Sequence, residues 1–145
     1  MTKEKIDGKT FRGEDRKYTF ELIDAEQGLH ILYNVMPSLE PIFATFAGGE
    51  FTLSSMAFMV LKEFNEDQIK DLASVLVKDA SIVIDDEVYN AGENGIGDYA
   101  QGDPAEIHTA IFWALAANFP KYLAPLLDGM KSDDSSPDTT DQKSE

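Results

Sequence analysis

The run Ile107 to Phe119, IHTAIFWALAANF, is almost uncharged, with His108 its one titratable side chain, and both of its ends are marked. Asp103 in front of it offers a side-chain oxygen to the free amides of a first helical turn. Pro104 follows at the position where a missing N–H costs least. The helix so started runs to about Asn118, and Pro120 ends it. Between Lys78 and Lys121 the chain has no Lys or Arg, and ahead of the run it carries Asp79, Asp85, Asp86, Glu87, Glu93, Asp98, Asp103 and Glu106. A negative field beside an aromatic helix suits a surface that repels nucleic acid and accepts an apolar or basic protein partner.

The whole chain repeats that bias. Its 145 residues amount to about one domain, and 43% hydrophobic residues suffice for a core. Twelve basic against 27 acidic residues give a net charge of −15. Duplex-DNA binders gain most of their affinity from Lys and Arg on phosphates, so nucleic acid is not an expected partner, nor is an anionic membrane surface. Cysteine is absent, which excludes thiolate catalysis, thiolate metal sites and disulfides. The start MTKEKIDGK does not read as a signal peptide, and no stretch reaches the roughly 20 apolar residues of a membrane span.

Along the chain, residues 5–20 read as a small β-hairpin with Asp7-Gly8 as a turn candidate and Tyr18 and Phe20 alternating with polar residues. A helix starts at Asp24 as N-cap, with Gln27 three residues on. Leu29, Leu32, Val35, Met36 and Leu39 lie on one face of it, which is core or interface. Pro37 and Pro41 predict a kink or break before a second piece with Ile42, Phe43 and Phe46. A segment with Met56, Phe58, Met59, Val60 and Leu61 follows. Asn65 and Gln68 form a capping pair for the next helix, whose apolar set is Ile69, Leu72, Ala73, Leu76 and Val77. Ser81 to Ile84 reads as a strand that pairs with the hairpin or caps the preceding helix. Residues 85–103 read as an acidic, glycine-bearing loop. The expected architecture is mainly α (α+β): a bundle of about four to five helices with a small N-terminal β-hairpin. Residues 1–130 form one globular domain, with the helical body at 24–128, and the acidic tail 131–145 is expected to be disordered.

No constellation nominates a catalyst. Gly95-Ile96-Gly97-Asp98-Tyr99-Ala100 has the G-x-G-x-x-A spacing of a dinucleotide turn, but lacks a strand directly before it and a helix directly after it. The acidic residues of the loop fit no EF-hand register. His30 and His108 fall on different helices and read as ordinary helical histidines. No catalytic, cofactor or metal residue is assigned. Met36, Phe43, Phe46, Met56, Met59 and Phe112 are instead the candidate partner-binding set, because thioether and aromatic side chains can re-pack around apolar partners. In that reading the segments 29–46 and 56–61 form a groove for a helical client, the final helix is its floor, and Trp113 is structural.

The order KIDGKTF, GLHILYNVMPSLEPIFA, acidic loop, DPAEIHTAIFWALAANFPKYLAPLL resembles the tail assembly chaperones of long-tailed bacteriophages over roughly residues 5–127. Its most specific part is Asn118-Phe119-Pro120-Lys121-Tyr122. The resemblance implies a non-virion protein of the host bacterial cytoplasm that keeps the helical tape measure protein soluble and helps recruit tail-tube subunits. Partners would be the tape measure protein and the tube protein, with self-association a further option. Such families often make a longer product by ribosomal frameshifting. The paired prolines and the long acidic loop do not follow from that role. The competing class is an acidic mimic that binds a host DNA-binding protein.

Overall fold

The computed structural model describes residues 2–10, 12–35, 37–38, 41 and 63–121. Two strands open it, β1 (Lys3–Lys9) and β2 (Asp15–Glu21), paired antiparallel from Lys3↔Glu21 to Lys9↔Asp15. The turn between them is not at Asp7-Gly8, which lies inside β1. It is closed by Thr10, whose N–H donates to the Glu14 carbonyl at 2.8 Å and whose Oγ1 accepts from the N–H groups of Arg12 and Glu14. Strand alternation puts Arg16, Tyr18 and Phe20 of β2 on the buried face, at 7%, 1% and 0% exposure.

Two more strands extend this pair. β3 (Ser81–Ile84) pairs antiparallel with β2 through Tyr18↔Ile82, so of the two expected roles for this run the structure takes the strand that joins the hairpin. β4 (Glu87–Asn90) pairs with β3 across the Asp85-Asp86 turn. Both turn residues have positive φ, 52° and 70°, the backbone of a I′ hairpin turn, which Asp tolerates better than most side chains. The sheet order is β1-β2-β3-β4.

Helices cover one face. α1 (Ala25–Asn34) begins at Asp24, whose carboxylate accepts from the Gln27 N–H, and ends three residues before Pro37. α2 (Glu66–Leu76) begins at a complete capping box: Asn65 Oδ1 accepts from the Gln68 N–H at 2.8 Å and Gln68 Oε1 from the Asn65 N–H at 2.9 Å. α3 (Pro104–Asn118) has Asp103 as N-cap and Pro104 in its first turn, and packs against β1, β2 and α2. Its apolar run is used on nearly every side: Thr109, Ala110, Ile111, Trp113, Ala114, Leu115 and Ala116 are all buried. The alanines permit close approach, and Thr109 satisfies its hydroxyl on the Ala105 carbonyl.

These elements replace the expected four- to five-helix bundle with a small hairpin. Among the described residues there are three α-helices and a four-stranded antiparallel sheet, so the fold is α+β with a sheet as one full layer. The error lies in residues 85–103. That stretch supplies β4 and a 3-10 turn (Asp98–Ala100) that packs under α3. Its glycines are packing positions: a Cβ at Gly95 would collide with the Ala73 carbonyl of α2, and one at Gly97 would lie 2.5 Å from the Asn90 carbonyl. Gly95 and Gly97 therefore close a packed loop on α2 and β4, and the three-residue 3-10 turn after them does not provide the helix start a pyrophosphate requires. The segment with Met56, most of the kinked segment after Val35 and the tail 131–145 lie outside the described residues.

Candidate functional site: a groove between two helices

α1 and α2 meet along a groove lined by His30, Ile31, Asn34 and Val35 from α1, Phe64 before α2, and Gln68, Asp71, Leu72 and Val75 from α2. On α2 the lining residues follow the i, i+3, i+4, i+7 spacing of one face. The capping box sets where that face points. Phe64 and Ile69 stand at the two positions of a hydrophobic staple and both belong to the core, which fixes the chain's entry into α2. Ile31, Phe64 and Leu72 make an apolar floor, at 3%, 7% and 4% exposure, and His30, Asn34, Gln68 and Asp71 make a polar rim.

The groove's cavity volume is about 100 Å³. Small-molecule sites run to roughly 300–1,000 Å³, so this one suits an inserted side chain better than a cofactor. On the α1 side of the rim Asn34 donates from Nδ2 to the His30 carbonyl at 2.7 Å.

On the side turned away from the groove floor, about 160° around the helix from Ile31, α1 presents a second apolar row. Ile31 is the one α1 residue that is buried, whereas Leu29 is 55% and Tyr33 74% exposed. The two stand one turn apart, about 100° around the helix from His30 and Asn34. Of the face read from the sequence as core or interface, Leu29 is thus not core. Sequence reasoning missed Tyr33 and Ile31; the signal was the Leu29/Tyr33 pair at i, i+4, a row distinct from the one containing Ile31.

Among the residues expected to bind a partner, Met36, Phe43, Phe46, Met56 and Met59 lie outside the described residues. Phe112 is described. It is half-buried on α3 with its ring centroid 5.0 Å from that of Trp113, and it is not among the described residues that line the groove. Trp113 is 8% exposed and donates from Nε1 to the Lys9 carbonyl at 3.1 Å, tying α3 to β1.

The second polar cluster is internal. Arg16 donates from Nη2 to Glu106 Oε2 at 2.7 Å and from Nε to Oε1 at 3.3 Å, a fork that joins the sheet to the first turn of α3. The Glu106 hydrogen bond raises the Arg16 pKa against the opposing effect of burial. Tyr18 and Tyr99 lie within reach of the Glu106 charge; burial first, and that carboxylate second, push both phenols well above their ordinary pKa. Tyr99 donates to the Gly95 carbonyl at 2.9 Å, while the Tyr18 hydroxyl has no hydrogen-bond partner among the described residues. Neither phenol is a usable acid or base near neutral pH. Among the described residues no three His, Asp or Glu side chains converge as a metal site, and no helix is long and apolar enough to cross a membrane.

A family model described as phage tail assembly chaperone protein, TAC, matches residues 14–127. The match takes in β2, both helices of the groove, β3, β4 and α3. No curated protein and no solved structure matches the chain.

Proposed function

This chain belongs to the phage tail assembly chaperone family, and from that premise we propose that it holds the tape measure protein in solution by seating one of that client's helices along the exposed row of α1. The observation that carries this reading is the exposure of Leu29 and Tyr33, one turn apart on α1, a helix whose other side lines a groove sized for side chains. A client helix with apolar residues at i, i+3, i+4 and i+7 would cover that row, and the groove on the other side of α1 would take a single side chain from a separate client segment over Ile31 and Leu72. Asp71 on the rim, with Asp67 one turn before it on α2, favours a client whose polar flank is basic. The role is a binding role without catalysis. It belongs in the host cytoplasm before the virion is complete, with tail-tube subunits recruited onto the chaperone–client complex. Met36, Phe43, Phe46, Met56 and Met59 extend the proposed contact surface, and Phe112 is kept as its weakest member.

The test is co-expression of a tape measure fragment with the chain carrying Leu29→Glu and Tyr33→Glu. Both side chains are exposed, so circular dichroism and melting should match the unsubstituted protein. The fragment should move from the soluble to the insoluble fraction. A fragment that stays soluble with the folded double variant would place the client elsewhere.

A further inference from the structure

β1 is one edge of the sheet, and the hairpin register fixes which of its main-chain groups face outward. Leu22 N–H donates to the Thr2 carbonyl and Thr10 N–H to the Glu14 carbonyl, at 2.9 and 2.8 Å. Thr2, Glu4, Ile6, Gly8 and Thr10 therefore turn their main-chain groups toward β2, and Lys3, Lys5, Asp7 and Lys9 turn theirs to the open edge. At Lys9 that edge is closed, because its carbonyl accepts from the Trp113 indole. Lys3, Glu4, Lys5 and Asp7 are exposed, and no described residue pairs with the outward groups of Lys3, Lys5 or Asp7.

We propose that this edge pairs with β1 of a second copy, antiparallel and centred on Ile6, so that two four-stranded sheets become one of eight strands. Charge and register select the arrangement. With Ile6 opposite Ile6 of the second copy, Lys5 stands opposite Asp7 twice, and these two pairs supply four main-chain hydrogen bonds. Ile6, the half-buried apolar residue of the edge, meets its own copy at the close, non-hydrogen-bonded position. Glu4 stands opposite Gly8, whose face is filled by the Trp113 indole. Lys3 stands opposite Lys9, whose charge is already held by Asp15 at 2.7 Å. Centring on Lys5 instead would set Lys5 against Lys5.

The other edge offers no such charge pairing. β4 has four residues, with Glu87 and no Lys or Arg among them, so self-pairing there sets no opposite charges against one another. β1 carries three lysines against Glu4 and Asp7, a local excess of one positive charge in a chain of net −15. Repulsion between the two bodies is screened at about 0.15 M salt, where the Debye length is about 8 Å. Lysine on an edge strand ordinarily blocks sheet growth; in this register two of the lysines acquire a carboxylate opposite. A single strand pair is small by the standard of stable interfaces, so the dimer is weak and dependent on concentration. None of the groove's lining residues belongs to β1, and each copy keeps its groove.

Sedimentation velocity of the full chain across a concentration series tests this. The mass should rise from one copy toward two with concentration, and Lys5→Pro should stay at one copy. That substitution removes an outward N–H without taking a β1–β2 hydrogen bond. A second readout leaves the main chain alone: Lys5→Asp or Asp7→Lys alone should abolish the dimer, and the two together should restore it. Because the chain has no cysteine, Ile6→Cys should form an interchain disulfide about tenfold faster than Arg12→Cys, the close strand pair being within disulfide reach. A single-copy mass at every concentration overturns the proposal. So does a dimer that survives in folded Lys5→Pro, or Ile6→Cys oxidising no faster than Arg12→Cys.

Discussion

Gly8 of β1 lies directly under the ring of Trp113 of α3: a Cβ built on Gly8 would stand 2.6 Å from both Cε2 and Nε1 of the indole. The contact explains a glycine inside a strand, where it otherwise weakens the structure. It lets the indole cross the strand and reach the Lys9 carbonyl at the edge. Gly8→Ala should destabilise the fold by about 1–3 kcal/mol through overpacking against a largely buried ring that is tied to the Lys9 carbonyl. Urea unfolding of the two forms measures this, and an unchanged midpoint would mean that α3 can lift from β1 at little cost.

The Arg16–Glu106 pair gives a larger effect. Both side chains are largely buried, at 8% and 12% exposure, and they join elements 90 residues apart in sequence. Glu106→Gln leaves a buried guanidinium without its counter-charge and should cost about 3–5 kcal/mol. Glu14, the second carboxylate near Arg16, is 54% exposed at 3.5 Å, and Glu14→Gln should cost no more than about 1 kcal/mol. Chemical denaturation separates the two; equal losses would show that Arg16 is satisfied by the cluster as a whole.

Tyr18 combines a buried hydroxyl that has no hydrogen-bond partner among the described residues with a phenol pKa raised by burial, then by Glu106, against the lowering effect of Arg16. Tyr18→Phe should therefore be neutral or stabilising by about 1 kcal/mol at neutral pH, because it removes an unmade hydrogen bond and keeps the ring stacked on Phe20. The pH dependence follows from the direction of the shift. A group whose folded pKa lies above its unfolded value, about 10 for Tyr, binds its proton more tightly when folded. Its contribution is complete below pH of about 10 and declines as pH rises beyond that, where the unfolded chain ionises first. Melting followed from pH 8 to 11 should fall more steeply for the unsubstituted protein than for Tyr18→Phe. Parallel slopes would contradict the raised pKa.

The helix starts were legible because each is a local chemical event. Asp24, Asn65 and Asp103 cap the helices that their side chains announce, and Pro120 lies just beyond the end of α3. β4 was not legible. Glu-Val-Tyr-Asn has neither length nor alternation, and it becomes a strand because Asp85 and Asp86 accept positive φ and Ile82 already lies beside Tyr18. The same holds for Gly8, where Asp-Gly resembles a turn until Trp113, more than 100 positions away in sequence, occupies the space above it. In the groove, Leu72 was legible as the buried face of α2. The division of α1 between Ile31 inside and Leu29 with Tyr33 outside depends on how α1 is turned against the core, which periodicity in one helix does not fix.

That turn also sets the last expectation. Val75 lies at the end of the α2 row that lines the groove, and it is only partly buried. Val75→Phe adds apolar volume to a cavity of about 100 Å³ whose floor is Ile31 and Leu72. Filling an apolar void in a folded protein is neutral or stabilising, by up to about 2 kcal/mol. A client side chain would then find its place taken, and its affinity should fall by about tenfold, the loss expected when a single buried anchor worth about 1.4 kcal/mol is displaced. Melting and client co-purification are measured on the same preparation. A variant that melts at or above the original temperature and loses the client places the client's anchor in the groove. Undiminished co-purification with the folded variant would leave the Leu29 and Tyr33 row as the contact and the cavity as a packing defect.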